Sequence, residues 1–316
     1  MTNYGIGILA TASYLPSKIQ TNAEVCANVD GLTEDWIIKK TGIKRRHISP
    51  LGATDIMAGV VANRLSTAND IEKEIGLIIV SSFSQHDMFP ALSAKIHKSI
   101  RAVQDCQILD INVNCVGLVT GTTIAVERMK ADPRIKYALV IGVEALSPFV
   151  DKHDKFTAPF FSDGASGVLL GRVSEGYGLL KSRFATDSSV YDEVKLERGG
   201  YIYQNGKATW TQAITGIPYV LKGLSHDAKV PLKDIDFFIF HQANQVLIDY
   251  IMDKMRIPRE KTYCNVCEIG NTGAASIGIA LDEAMKKGLI KNDSLLALVG
   301  VGAGFNFGAN LWRMRL

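Results

Sequence analysis

Several short segments place reactive side chains where a strand pattern gives way to a helix pattern. Leu109-Asp110-Ile111-Asn112-Val113-Asn114-Cys115-Val116-Gly117 reads as a strand ending near Asn112 and a helix starting just after Cys115. The Cys115 thiol would then stand beside the free N–H groups of a helix N-terminus, which favour negative charge and lower a thiol pKa. A lone cysteine serves equally well as a buried packing residue. His241-Gln242-Ala243-Asn244 follows the apolar run Phe237–Phe240 directly. A histidine there sits at the C-terminal end of an α/β strand, the edge where such folds place their ligands; a capping or core histidine fits the same slot. Gly270-Asn271-Thr272-Gly273-Ala274-Ala275-Ser276 is a polar loop opening another helix, and Asn271 offers an amide donor in what is locally a generic turn. The run Gly300–Gly308 follows the last long strand, and its glycines would let backbone N–H groups approach a reacting carbonyl oxygen. It is not a phosphate loop, since no Lys-Ser/Thr follows it and G-x-x-x-x-G-K-S/T occurs nowhere in the chain.

The elements that must carry these residues alternate. Apolar runs at 75–80, 138–143, 235–240 and 295–300 have strand length and are bounded by polar turns, as expected of strands buried on both faces. Helix patterns cover 118–130, 245–255 and 274–287, so the chain reads as α/β layers. Asp70–Ser82 resembles Pro231–Ala243, and the helix at 118–130 with the following ALVIGVE resembles the helix at 274–287 with ALVGVGA. Both pairs are separated by about 160 residues, as a duplicated α/β unit would require. The expected halves are 1–170, carrying Cys115, and 171–316, carrying His241 and Asn271. No Pro/Gly/Ser-rich linker divides them, so they should pack as one body.

Composition narrows the class. The 316 residues are 47% hydrophobic and 21% charged, ordinary for a globular chain long enough to bury a large core. A formal charge of +3 gives no argument for bulk nucleic-acid binding and leaves room for a local basic patch. Met1–Pro16 lacks a basic and apolar leader pattern, and no run approaches the roughly 18 apolar residues of a spanning helix. Five cysteines suit reduced thiols, so a soluble cytoplasmic protein without a membrane segment is expected. Cys264-Asn265-Val266-Cys267 is a C-x-x-C, but no second metal-binding pair lies near it; packing in a strand leading to Asn271 is expected, and no metal.

Taken in order, Cys115, His241 and Asn271 at strand ends of a duplicated α/β unit resemble the thiolase-like condensing enzymes, within them the β-ketoacyl-[acyl-carrier-protein] synthase III family. Trp36-Ile37-Ile38-Lys39-Lys40-Thr41-Gly42-Ile43 with Arg45-Arg46-His47-Ile48 is similar to the family's W-I-x-x-R-T-G-I-x-x-R-H-I block. Phe161-Ser162-Asp163-Gly164-Ala165 is similar to its F-G-D-G-A turn, and the resemblance runs over almost the whole chain. It implies a thiolase-like layered αβαβα fold. It also implies acyl transfer from acyl-CoA to Cys115, then decarboxylative condensation with a malonyl thioester. His241 and Asn271 would stabilise the enolate, and the backbone N–H groups of Cys115 and Ala303 the tetrahedral oxyanion. No cofactor is implied. For CoA it implies Trp36 against the adenine, with Lys155 and Lys40 standing where arginines are usual, and Asn244 beside the pantetheine arm. Lysine lacks the planar fork that stacks and pairs with phosphate bidentately. Phe89 resembles the aromatic residue that crosses the family's homodimer into the partner's acyl pocket.

The departures leave other outcomes open. Asn114 stands where a small alanine is usual, which alters the polarity behind the nucleophile. Region 205–226 is shorter than the family's and lacks its M-x-G-x-x-V-F helix start, carrying Trp210 and Pro218 instead. Val246 replaces an arginine that often docks the acyl carrier protein, with Asp253 in place of a nearby basic residue, although Lys254 and Arg256 remain. Acyl transfer to another nucleophile without condensation, and a non-catalytic partner subunit, are the competing expectations.

Overall fold

The computed structural model describes residues 4–67 and 70–316; Met1–Asn3, part of the N-terminal stretch assessed for a leader, lie outside these. The first half of the chain forms β1 (Tyr4–Tyr14), β2 (Ile19–Thr21), α1 (Asn22–Cys26), α2 (Glu34–Thr41), β3 (Arg45–His47), α3 (Thr54–Ser66), β4 (Ile75–Ser81), α4 (Leu92–Ser99), β5 (Gln107–Ile111), α5 (Gly117–Ala131), β6 (Tyr137–Glu144) and β7 (Gly164–Ser174). The second forms β8 (Gly178–Thr186), β9 (Val194–Leu196), β10 (Ile202–Gln204), α6 (Gly206–Ala228), β11 (Phe237–Phe240), α7 (Gln245–Met255), α8 (Val266–Ile269), α9 (Ser276–Lys286), β12 (Leu295–Gly302) and β13 (Asn306–Arg313).

Two mixed sheets carry the architecture. One is five-stranded in the order β1-β7-β6-β4-β5, with β6, β4 and β5 parallel and β7 antiparallel to both its neighbours. The other is four-stranded in the order β8-β13-β12-β11, with β11 and β12 parallel and β13 antiparallel to both its neighbours. Strand order and direction in β1-β7-β6-β4 thus recur in β8-β13-β12-β11. The counterpart of β5 is reduced to one parallel bridge between Phe238 and Thr262, where Thr262 Oγ1 donates to the Phe238 carbonyl at 2.8 Å.

The layers follow from burial. Strands β4, β6, β11 and β12 are buried almost end to end, which requires cover on both faces. Helices α3 and α4 cover the outer face of the first sheet, and α6 that of the second, with α7 packed on α6. Helices α5 and α9 lie between the sheets: α5 touches β4, β6, β12 and β13, and α9 touches β1, β7, β11 and β12. The result is the αβαβα arrangement, with a central core shared by Val119 and Val126 of α5 and Ile277 and Leu281 of α9.

One local expectation changes. The C-x-x-C pair lies in no strand: Cys264 is in irregular chain and Cys267 in the short helix α8. The backbone departs from a strand there because Asn265 N–H donates to the Gln242 side chain and the next turn closes back on the Asn265 and Val266 carbonyls. Region 205–226, which lacks the family's motif, nevertheless forms a helix. Asn205 caps α6 by accepting from the N–H groups of Lys207 and Ala208, and the helix continues through Pro218 to Ala228.

Candidate active site

Cys115 sits in a single 3-10 turn between β5 and α5. Asn114, immediately before it, has φ +52°, the left-handed region that asparagine tolerates better than most residues. Gly117, opening α5, lies so close to the end of β4 that a β-carbon there would stand 2.0 Å from Ser81 Oγ. From the other sheet, Gly300 of β12 leaves a gap in which a β-carbon would meet Val116 Cα at 3.1 Å and the Cys115 carbonyl at 3.4 Å. The nucleophile turn is thus wedged between strands of both sheets.

His241 extends the β11–β12 ladder by one bond, its N–H donating to the Val299 carbonyl at 2.7 Å. Its Nδ1 faces the Ser276 hydroxyl at 2.6 Å, at the first residue of α9. Asn271 is held on three sides. Its N–H donates to the Phe160 carbonyl at 2.9 Å, its carbonyl accepts from Ser162 N–H at 2.8 Å, and its Oδ1 accepts from Gly273 N–H at 3.0 Å. With Oδ1 engaged, the amide NH₂ is what Asn271 presents outward. Ala303, in the turn between β12 and β13, has its carbonyl held by the Asn306 amide at 3.0 Å and more loosely by the Asn114 amide at 3.4 Å.

These residues meet on one cavity of about 870 Å³. Cys115, His241, Asn271 and Ala303 line it, as do Trp36, Lys40 and Asn244. Asn244 caps α7 through its Oδ1, which accepts from Leu247 N–H at 2.8 Å, and so keeps its NH₂ free for the cavity. Phe83, Phe161, Leu196 and Ile202 give the wall an apolar stretch. One residue expected against the CoA lies elsewhere. Lys155 lines a neighbouring groove with Asp30, His153 and Asp154, its ammonium 5.0 Å over the Phe156 ring, and it is Phe156 that reaches the main cavity. Phe89, expected to reach a partner's pocket, is 85% exposed on the loop after β4, clear of this chain's own cavity.

The start of α6 supplies wall residues that the pattern at 205–226 had hidden: Asn205, Lys207, Thr209 and Trp210. The signal that could have found them is the cap, an asparagine directly before a helix. Ser276 and Glu144 were also missed, because what places them is contact between distant elements. Glu144, fully buried at the end of β6, accepts hydrogen bonds from Ser84 Oγ, from Ser82 Oγ at 3.4 Å and from Phe83 N–H at 3.4 Å. Gly273 leans on it so closely that a β-carbon would be 2.9 Å from Glu144 Cγ.

Charge in the site corrects a further expectation. Burial, with a smaller contribution from Glu144, pushes the Cys115 thiol up to about 12, outweighing the opposing backbone hydrogen bond. The helix-start effect loses because the thiol is buried and no cation stands close enough to act on it. Burial also pushes Glu144 up to about 8 and His241 down to about 3. At neutral pH thiol, imidazole and buried carboxyl are therefore all predominantly uncharged. A neutral thiol flanked by a neutral imidazole and an amide, beside a turn with backbone donors, suits chemistry in which negative charge appears only during reaction.

The family signature described as 3-oxoacyl-[acyl-carrier-protein (ACP)] synthase III matches residues 109–188, and that of its C-terminal part matches residues 225–314. A β-ketoacyl-[acyl-carrier-protein] synthase III of Aquifex aeolicus (strain VF5) is 33% identical over 310 residues, covering 98% of this chain and 99% of that protein. The chain belongs to the β-ketoacyl-[acyl-carrier-protein] synthase III family. It is an enzyme, a ketoacyl synthase with the thiolase-like fold. The crystal structure of 3-oxoacyl-[acyl-carrier-protein] synthase III from Aquifex aeolicus VF5 superposes with a TM-score of 0.93 at 31% identity, covering 98% of this chain and all of that one. The priming β-ketosynthase of the R1128 polyketide biosynthetic pathway shares the fold, with a TM-score of 0.92 at 23% identity over 99% of this chain and 97% of that one. Among the described residues, no helix is long and apolar enough to cross a membrane, and no group of His, Cys, Asp and Glu is arranged to hold a metal ion.

Proposed function

We propose that the cavity carries out a decarboxylative Claisen condensation with Cys115 as the acyl carrier. The thiol attacks the carbonyl of an acyl-CoA; the new C–S bond forms as the old one breaks, and CoA leaves as its thiol with the proton lost from Cys115. A malonyl thioester then loses CO₂, and the electron pair of the broken C–C bond is held as an enolate. His241, through Nε2–H, and Asn271, through its amide, donate to the enolate oxygen. The carbanion attacks the acyl carbonyl, whose oxyanion is held by the N–H groups of Cys115 and Ala303. Collapse releases a 3-oxoacyl thioester and the Cys115 thiolate, which takes a proton from solvent.

The observation carrying this reading is the convergence of Cys115, His241, Asn271 and Ala303 on one cavity. Trp36, Lys40 and Asn244, which line the same cavity, would take the CoA donor, while acyl carrier protein would deliver the malonyl group. The reading includes a cytoplasmic homodimer with the exposed Phe89 loop at its interface, and no metal or cofactor. It also takes the chain as a duplicated unit; the recurring strand order supports the duplication, with the junction between β7 and β8 and not at the expected 170/171, which would cut β7.

Intact-mass measurement with acyl-CoA alone should show one acyl adduct on the wild type and none on Cys115→Ala. Malonyl-carrier protein or malonyl-CoA should then release CO₂ and clear the adduct. An adduct that persists on Cys115→Ala would overturn the nucleophile assignment, and acyl turnover without CO₂ would replace condensation by simple acyl transfer.

A further inference from the structure

The proposed reaction needs His241 to meet the cavity as a hydrogen-bond donor, which a neutral imidazole does through Nε2 only when Nδ1 carries no proton. What settles this lies behind the ring. Ser276 is 1% exposed, and its hydroxyl stands 2.6 Å from Nδ1. The same oxygen accepts from the backbone N–H of Gln242 at 3.4 Å. A hydroxyl has one proton to give. If Nδ1–H donated to Ser276, the oxygen would accept twice and its own proton would be left buried without an acceptor, a loss of about 1–3 kcal/mol. If instead Ser276 donates into the Nδ1 lone pair, every group is satisfied. The imidazolium, which would have protons at both nitrogens, is excluded by burial, which holds His241 down to about 3.

We propose that Ser276 is a positioning residue that locks His241 in the Nε2–H form, so that the ring faces the cavity as a donor and cannot serve as a base toward Cys115. The proposal rests on the condensing role of His241 and adds what enforces it. Helix α9 contributes in a second way, because the loop leading into it, 271–275, carries Asn271. Both donors to the enolate are therefore set by one helix start.

Two-bond ¹H–¹⁵N correlation spectra of the ¹⁵N-histidine-labelled free enzyme read the ring directly, with His241→Gln assigning the signal. The wild type should show a protonated Nε2 and an unprotonated Nδ1. Ser276→Ala should give mixed tautomers and lower the rate of CO₂ release about 10- to 100-fold, with Cys115 acylation by acyl-CoA unchanged. Ser276→Thr, which keeps the hydroxyl, should restore the wild-type tautomer and most of the rate. A wild-type ring protonated at Nδ1 overturns the proposal whether or not Ser276→Ala folds. An unchanged tautomer in a folded Ser276→Ala overturns it as well. A wild-type ring protonated at Nε2 in a protein that never releases CO₂ would instead sink the condensation reading and leave the lock standing.

Discussion

Glu144 is a buried carboxyl whose partners are two serine hydroxyls and a backbone N–H, with no cation among them. Burial lifts it from an ordinary 4.5 to about 8, so between those values the folded chain keeps a proton that the unfolded chain has released. The sign follows: the stability from this group is fully present below about 4.5, declines as pH rises, and is gone above about 8, with a slope near 1.4 kcal/mol per pH unit inside the window. Glu144→Gln keeps the shape and removes the titration. Urea midpoints measured from pH 5 to 8 should fall less steeply with pH for Glu144→Gln than for the wild type. Parallel curves would mean that Glu144 is ionised in the folded protein. The neighbouring question of Asn114 is answered by its backbone. Its left-handed φ explains an asparagine in that place, and its amide turns toward the Ala303 carbonyl. The residue type was legible and its reason was not, because φ is set by the wedge between two sheets.

Elements show the same division between local and non-local causes. Helices α5, α7 and α9 and strands β4, β6, β11 and β12 were legible because continuous apolar runs and 3.6-residue patterns are local properties. Helix α6 was obscured by Pro218, which removes the N–H that would have bonded the carbonyl four residues back. The orphaned carbonyl belongs to Ile214, and Lys254 of α7 reaches across to it, Nζ to O 2.8 Å. Pro218 is therefore tolerated because a neighbouring helix supplies the missing donor. Lys254, expected to be available for docking a carrier protein, is instead engaged in holding α6 against α7. Lys254→Ala should lower stability by about 1 kcal/mol. In a Pro218→Ala background, where residue 218 regains its N–H, the same substitution should have almost no effect. Denaturant unfolding of the four proteins gives the coupling; additive losses would show that the lysine acts elsewhere.

At the scale of the whole molecule, the site exists only because two sheets are held in register. Cys115 comes from the first sheet's side and His241 and Asn271 from the second's, so their order along the chain could be read but their meeting could not. One contact between the halves involves no residue that lines the cavity. Asp282 of α9, fully buried, accepts from Thr11 Oγ1 at 2.9 Å and from Ser13 Oγ, both on β1, and pairs with Lys286 at 2.7 Å. This fastens to the first sheet the same helix whose start places Ser276 behind His241. Asp282→Ala would leave two hydroxyls of β1 without their acceptor, a loss on the order of 3 kcal/mol. Adding Thr11→Val and Ser13→Ala removes the stranded groups and should recover part of it. The catalytic consequence should be selective. Acylation of Cys115, which draws on the first sheet, should fall less in Asp282→Ala than release of CO₂, which needs the donors set by α9. Single-turnover rates of the two half-reactions, measured at a temperature where the variant is fully folded, separate these outcomes. Equal losses in both would show that β1 and α9 carry the site as one rigid body.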